Sequence, residues 1–501
     1  MALLGIDIGT THTKVGLFNN EGTEIQIAVR PTESFIDQEG HPFISPDQLW
    51  TQVRACIKEI TTDCKEKIDV IGIASMAETG LLVDRGSGQT KTAIIPWYSR
   101  CGESELHKIA AMDTPLSRFQ KTGLHNSYKY GLAKILWLQR KQPELLKNAV
   151  WLSAADFIAY KLSGNMATDY SLAARTFTFR IDTKTFDDLW IKSFGLPKDL
   201  FPPAYPSGTK IGEVSLEVSQ PLGLLEGIPV AIAGHDHVCA ALAVGVHQPG
   251  RVFDSMGTAE TLSGTFSEKP LGQSEFHSGL SYGCNVIKGQ YFWMGGLPSS
   301  GGSVEWMRAQ LAEPKMSYEY MQQLVSATKQ GPTGILYYPY LSGSGAPQPD
   351  HHTKGAFVGL SSTHSRGELL KAVLEGTAYE IESIRRVAEE STGLSIKQLI
   401  AVGGGTRNAS WLQIKADITQ CELVIPQVTE ATLLGAAIVA AIGCEIYQDL
   451  EAAMSKVHMI PRNIITPNQE HSMAYKVLYE EGYKFLQTSL RMFYNKQKSF
   501  H

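Results

Sequence analysis

The same short phrase occurs twice in this chain, near the start of each half. Leu3 to Ile8 is an apolar, strand-like run with one acid, Asp7; it breaks at Gly9-Thr10-Thr11-His12-Thr13 and resumes as Val15-Gly16-Leu17-Phe18. Arg251 to Met256 does the same, with Asp254 inside it, and breaks at Gly257-Thr258-Ala259-Glu260-Thr261. Both breaks read Gly-Thr-x-x-Thr, and each has an Asp two or three residues upstream. Five residues can coincide, but the placement of the two phrases points to two halves built on one plan.

The intervening sequence alternates strand and helix patterns. Helical spacing marks 47–61, 131–142, 154–162 and 238–246, and later 366–392, 411–420 and 432–442. Strand-like runs lie at 70–75, 228–234, 399–402 and 422–425, and the Pro- and Gly-rich stretch 201–212 reads as a loop. Residues 474–494 read as one last amphipathic helix. Such alternation predicts an α/β fold with mostly parallel central sheets. Gly245, Pro249 and Gly250 cluster between the halves, which places a boundary near 245–252 and domains at 1–248 and 249–501.

Composition narrows the class. The 501 residues suffice for two or three domains, and a chain 43% hydrophobic and 19% charged is ordinary for a globular protein. A formal net charge of -5 gives no whole-chain electrostatic case for nucleic acid or an anionic membrane. Seven cysteines, scattered and without a Cys-x-x-Cys pair, argue against a disulfide scaffold or a cysteine zinc site. The first residues enter a strand-like run with no basic leader, and no run of about 18 apolar residues occurs, so the cytoplasm is the expected setting.

Four segments suggest chemistry. At Gly9-Thr10-Thr11-His12-Thr13-Lys14 a glycine turn, threonine hydroxyls and backbone N–H groups offer donors to phosphate oxygens, and Lys14 adds charge. Asp7 is placed to hold Mg²⁺ through water. The segment is not a Walker A loop, and a plain hairpin turn is the alternative. Gly257-Thr258-Ala259-Glu260-Thr261 offers a second such turn, able to clamp a triphosphate from the other side. In Val402-Gly403-Gly404-Gly405-Thr406-Arg407-Asn408 the glycines allow close approach to a nucleoside, and Asn408 either caps the next helix or bonds the nucleotide. Gly435-Ala436-Ala437, after Glu430, either adjoins that site or forms a tight helix interface. In Gly234-His235-Asp236-His237 an acid at the C-terminal end of a strand opens a helix, where α/β proteins place catalytic groups. Its alternatives are a helix cap or a metal site on the His-x-His pair, with His351-His352 as conceivable further ligands.

Together these segments resemble the FGGY family of carbohydrate kinases over residues 3–445. The resemblance extends through Thr168-Asp169-Tyr170-Ser171-Leu172-Ala173-Ala174-Arg175-Thr176, Gly343-Ser344-Gly345-Ala346-Pro347 and Gly355-Ala356-Phe357-Val358-Gly359-Leu360. It implies two ribonuclease-H-like domains of the actin-like ATPase fold around a cleft. It implies ATP and Mg²⁺, with Asp236 as catalytic base and Asp7 and Asp236 at the metal. Thr10, Thr11, Thr13, Lys14, Gly257 and Thr258 would line the phosphates, and Gly301, Gly404, Gly405 and Asn408 the nucleoside. At the acceptor end it implies Ala77, Glu78, Trp97, Asp236 and His237, with Ala77 where glycerol kinases carry an Arg beside the Glu. Losing that fork donor and opening space disfavours glycerol and favours a ketopentose such as xylulose. Lys129 keeps a sugar acid such as gluconate open, although a solvated helix residue is the plainer expectation for it. Dimers are common in the family, so a homodimer is a further expectation. A regulatory ATPase of the same fold and a metal-dependent hydrolase are the rivals from other classes.

Overall fold

The computed structural model describes residues 1–63, 66–457 and 460–497; Cys64 lies outside them. The first sheet contains β1 (Ala2–Ile8), β2 (His12–Asn19), β3 (Glu24–Pro31), β4 (Ile68–Ser75), β5 (Lys210–Glu213) and β6 (Pro229–His235), in the order β5-β6-β4-β1-β2-β3. β1, β2 and β3 form an antiparallel meander, and β4 and β6 join in parallel on the other side of β1. The second sheet follows the same plan. It contains β7 (Arg251–Met256), β8 (Glu260–Ser267), β9 (Ser281–Cys284), β10 (Gln290–Leu297), β11 (Gln398–Val402), β12 (Glu422–Pro426) and β13 (Pro461–Ile465), in the order β9-β10-β8-β7-β11-β12-β13. β7, β8 and β10 are its meander, and β11 and β12 its parallel additions. The repeated Gly-Thr-x-x-Thr phrases are the equivalent turns β1–β2 and β7–β8, so the repeat is one of architecture.

Parallel joins require crossovers, and helices supply them. The main helices are α1 (Pro46–Asp63), α2 (Gly131–Lys141), α3 (Ala154–Ser163), α4 (Asp236–Ala243), α5 (Gly301–Leu311), α6 (Arg366–Thr392), α7 (Ala409–Thr419), α8 (Ala431–Gly443), α9 (Gln469–Leu478) and α10 (Lys484–Gln497). α6 spans its expected residues because both ends carry stop signals. Ser365 and Glu368 form a capping box, and Gly393 closes the helix at φ 71°. Two expectations need amending. The stretch 201–212 is not all loop: it holds the strand Ala204–Tyr205 and the start of β5. The last helix is interrupted by a π turn, Tyr479–Tyr483, between α9 and α10. A wider turn keeps residues four apart in line, and here it keeps Tyr475, Tyr479 and Tyr483 all buried against Tyr379.

Side-chain alternation along β1 sets the position of the site. Leu4, Ile6 and Ile8 join the core under α1 and α3, while Leu3 faces the opposite side with Val70, Ala74, Ala231 and Ala233. By the same parity Gly5 and Asp7 face that second side. Two helices cover it: α4, which follows β6, and α8, which comes from the second half of the sequence. Contact there is backbone to backbone. A Cβ on Gly5 would stand 2.1 Å from the Leu433 carbonyl oxygen, and one on Gly72 2.0 Å from that of Ala436. Gly435 meets the Cys239 carbonyl in the same way, at 2.0 Å. Gly435-Ala436-Ala437 is therefore a helix interface. α4 also packs on β7 and β8, so its N-terminus lies where the two sheets meet.

Gly5→Ala is expected to lose about 1–3 kcal/mol of stability by overpacking. Gly404→Ala, where an added Cβ meets nothing within 4 Å, is expected to lose about 1 kcal/mol at most. Urea midpoints of the two variants check the difference.

Candidate active site

Asp236 is the first residue of α4 and directly follows β6. Its turn is shaped from below. Gly234 takes φ 123°, and a Cβ there would stand 2.4 Å from Ser171 Oγ. The His235 amide donates to that hydroxyl at 2.9 Å, and Ser171 Oγ in turn donates to Asp169 at 2.7 Å. The amides of Ser171 and Leu172 and the Ser207 hydroxyl also donate to the Asp169 carboxylate. Asp236 Oδ1 accepts from the His237 amide at 2.7 Å and lies 3.1 Å from His235 Nδ1. Burial alone would raise the Asp236 pKa; His237 and His235 outweigh it and hold the carboxyl below its usual range. The His237 pKa is itself lowered by burial against the pull of Asp236, and its ring lies 6.1 Å from that of Phe253 on β7.

Asp7, at the end of β1, belongs to the same electrostatic cluster. Burial first, and Asp236 second, push its carboxyl well above the usual value, and its Oδ1 has no hydrogen-bond partner. Lys14 pairs with Asp7 across the β1–β2 ladder, but its ammonium bonds Glu430, at 2.7 and 2.9 Å to the two carboxylate oxygens. Glu430 caps α8, so this ion pair joins the first hairpin to a helix from the second half. Gly9, Thr10, Thr11 and His12 form the accessible turn, closed by Gly9 N to His12 O at 3.0 Å. The expectation for Thr13 is corrected here. Its side chain is fully buried and its hydroxyl is bonded to Thr32 at 3.0 Å, because strand alternation turns it inward.

The second turn, 257–259, is exposed. The amides of Gly301 and Gly302 at the start of α5 donate to the carbonyls of Gly257 and Thr258 at 3.1 and 3.0 Å. The Gly-rich loop lies beside it: Gly403 takes φ 93°, with room for no Cβ against Met256 O at 2.7 Å. Gly405 packs on Met256, while Gly404 is open. Asn408 Oδ1 caps α7 by accepting from the Trp411 amide at 3.1 Å, which leaves its amide N–H groups as donors for a ligand.

The acceptor end differs from expectation in three respects. Ala77 is 3% exposed and packs in the first core. Glu78 is not without a guanidinium: Arg175, distant in sequence, places Nε at 2.6 Å and Nη2 at 2.5 Å from Glu78 Oε1. Arg175 Nη1 is buried and unpartnered. Burial would lift the Glu78 carboxyl, but Arg175 holds it below its usual range. Glu78 sits at φ 56°, sparsely populated for a non-glycine residue, and its carbonyl accepts from the buried Lys134 ammonium. Trp97 Nε1 donates to Thr10 Oγ1 at 3.1 Å, tying the acceptor end to the first turn. Lys129 precedes α2 and places its ammonium 5.4 Å over the Trp97 ring, so it is not a solvated helix residue.

Residues 2–243 match the N-terminal domain of the FGGY family of carbohydrate kinases, and residues 254–444 match its C-terminal domain. The chain belongs to this family of carbohydrate kinases. A xylulose kinase from Bacillus subtilis (strain 168) is 27% identical over 503 residues, 99% of each chain. The solved xylulose kinase from Rhodospirillum rubrum superposes with a TM-score of 0.89 at 25% identity, covering 99% of this chain and 100% of that one. A gluconate kinase from Lactobacillus acidophilus shares the fold, with a TM-score of 0.91 at 21% identity over 99% of each chain. The two-domain actin-like ATPase fold and the phosphotransferase class follow, and the regulatory and hydrolase rivals fall away.

In this FGGY kinase, then, the geometry joins Asp7, Thr10, Trp97, Asp236 and the Glu78–Arg175 pair. Arg175, Ser171 and Asp169 were legible only as parts of a motif; Arg175 bonds Glu78, 97 residues away, Ser171 bonds His235, 64 away, and Asp169 bonds Ser207, 38 away. Glu430 gave no signal beyond preceding a helix. Arg175→Met would strand the Glu78 carboxylate, losing about 3–5 kcal/mol of stability. Arg175→Met with Glu78→Gln is expected to recover most of that loss in thermal melts while the sugar KM stays raised.

Proposed function

We propose that this kinase transfers the terminal phosphoryl group of ATP, taken with Mg²⁺, to a primary hydroxyl of a ketopentose such as xylulose. Asp236 carries the reading. It stands at the meeting of the two sheets, and its carboxyl is held below the usual range, so it is ionised at neutral pH and able to accept the proton of an attacking hydroxyl. It also aligns that oxygen with the phosphorus.

Asp7 and Asp236 suit Mg²⁺. They form a pair of close acids, and Asp7 keeps an unpartnered buried oxygen. Among the described residues no group of three or more His, Cys, Asp or Glu side chains has metal-holding geometry. That fits an ion that keeps several waters and is shared with phosphates. When bound, Mg²⁺ neutralises charge on the phosphate oxygens. The chain's own part is to present the hydroxyls of Thr10, Thr11 and Thr258 and the N–H groups of both turns to the triphosphate, positioning it without chemistry of their own. Lys14, held by Glu430, adds positive charge beside them.

Two relatives named as xylulose kinases support the ketopentose, aligned along almost the whole chain. At the acceptor end Trp97 offers an aromatic face, and Glu78 with the free Nη1 of Arg175 offers an acceptor and a donor to adjacent hydroxyls. One observation favours a second reading. Lys129 lies over Trp97, and the His351 pKa is lowered by burial and then by Arg100 and Lys129, so cations converge at this end. A sugar acid would meet them with its carboxylate. The cytoplasm suits either reactant: six described cysteines are free, and among the described residues no helix is long and apolar enough to cross a membrane.

ADP release with xylulose, other ketoses, glycerol and gluconate decides between them. Xylulose is expected to give the highest kcat/KM, and Lys129→Met to leave it within about threefold. Preference for gluconate, abolished by Lys129→Met, would select the sugar acid; no release with any of them overturns the proposal. Asp236→Asn is expected to lower kcat by about a hundred- to ten-thousand-fold while ADP affinity is kept.

The pH profile tests the environment of Asp236. The deprotonated form is active, so activity falls as pH drops through the depressed pKa. His237→Gln removes a group that depresses it. The acid limb of kcat/KM is therefore expected to move to higher pH; an unmoved limb would mean that His237 does not tune Asp236.

A further inference from the structure

A buried ion cluster underlies the second turn. Asp254 on β7 and Glu260 on β8 flank residues 257–259, and Lys415 of α7 reaches both. Its ammonium lies 2.7 Å from Asp254 Oδ2 and also donates to Glu260 Oε1. All three side chains are 0% exposed. The other oxygen of Glu260 accepts from Ser300 Oγ at 2.5 Å. Ser300 precedes α5, and its amide donates to Thr258 O at 3.0 Å. α7 is the helix that follows the Gly403–Asn408 loop. One ammonium thus ties together both strands of the turn, the start of α5 and the helix behind the Gly-rich loop.

Packing does not require this cluster. Two carboxylates and one ammonium, fully removed from water, are often matched or bettered in stability by apolar residues of the same volume. Burial, and Glu260 alongside, push the Asp254 carboxyl well above its usual value, so the site tolerates the second acid only by favouring its proton. The cluster also accounts for Asp254 in the repeated phrase. Asp7 stands two residues before its turn and Asp254 three, and one residue reverses the face of a strand. Asp254 accordingly points with Val252 and Met256 into the core of the second half, away from the face that Phe253 shares with α4.

We propose that Lys415 is a positioning residue for the nucleotide, fixing the 257–259 turn, the start of α5 and the 403–408 loop in one mutual geometry. This rests on reading those three segments as the nucleotide surface. The test uses the full chain, with MgADP binding by calorimetry beside steady-state kinetics. Lys415→Met is expected to weaken MgADP at least about tenfold and to raise the KM for ATP alike, with the sugar KM within about twofold. The neutral triple variant Lys415→Met, Asp254→Asn, Glu260→Gln removes the stranded carboxylates. It is expected to regain thermal stability yet stay weak toward MgADP; if the single variant does not fold, this one decides. Wild-type MgADP affinity in a folded variant, or equal rises in both KM values, overturns the proposal. Failure of the wild-type protein to bind MgADP would instead remove the nucleotide reading beneath it.

Discussion

The active site depends on a contact without side chains. Gly5 on β1, Gly72 on β4 and Gly435 on α8 bring backbone against backbone at separations that no Cβ would permit. α8 comes from the second half of the chain, yet it lies on the first sheet beside α4, whose first residue is Asp236. Without that approach α8 would stand off by a side chain's width. Glu430 at its cap would then not reach Lys14, and α4 would lose the partner that holds it between the two sheets. The glycines therefore fix the distance between the halves, and that distance sets where Asp236 stands relative to both turns.

Charge is arranged on this frame with little slack. The first turn has two acids close together, and Lys14 offsets them only in part because Glu430 claims its ammonium. The result is a site short of positive charge next to turns rich in phosphate-type donors. Such a site favours a ligand that brings its own cation over a bare polyanion. At the acceptor end the balance is reversed: Arg175 and Lys129 gather around the single carboxylate of Glu78. The two ends thus differ in charge balance, one with a deficit of cations and the other with an excess.

The fold was largely legible because its signals are local. Turn glycines, alternation along β1 and the caps of α6 each act within a few residues, and the repeated phrase exposed the two-sheet plan. The placement of Asp236 at the start of a helix after a strand was legible because Gly234-His235-Asp236 is a local strand-to-helix turn. Legibility failed where a side chain's partner is remote. Thr13 carries the right chemistry for phosphate, but alternation turns it toward Thr32. Ala77 suggested a missing guanidinium, and only the tertiary structure could bring Arg175 to Glu78.

Arg175 and the missing arginine at position 77 show what the chemistry constrains. A carboxylate buried as Glu78 is stays ionised only beside a positive partner, and a planar, permanently charged guanidinium is well suited to it. The chain position of that partner is free; its geometry at Glu78 is not. Delivery from the segment after Ser171 has a structural consequence, because the same segment supports the turn before Asp236 through the Ser171 hydroxyl. One stretch, 169–175, therefore supports both the turn before Asp236 and the Glu78–Arg175 pair. A displacement of that stretch would move Asp236 and the Glu78–Arg175 pair together, which a guanidinium at position 77 would have kept apart.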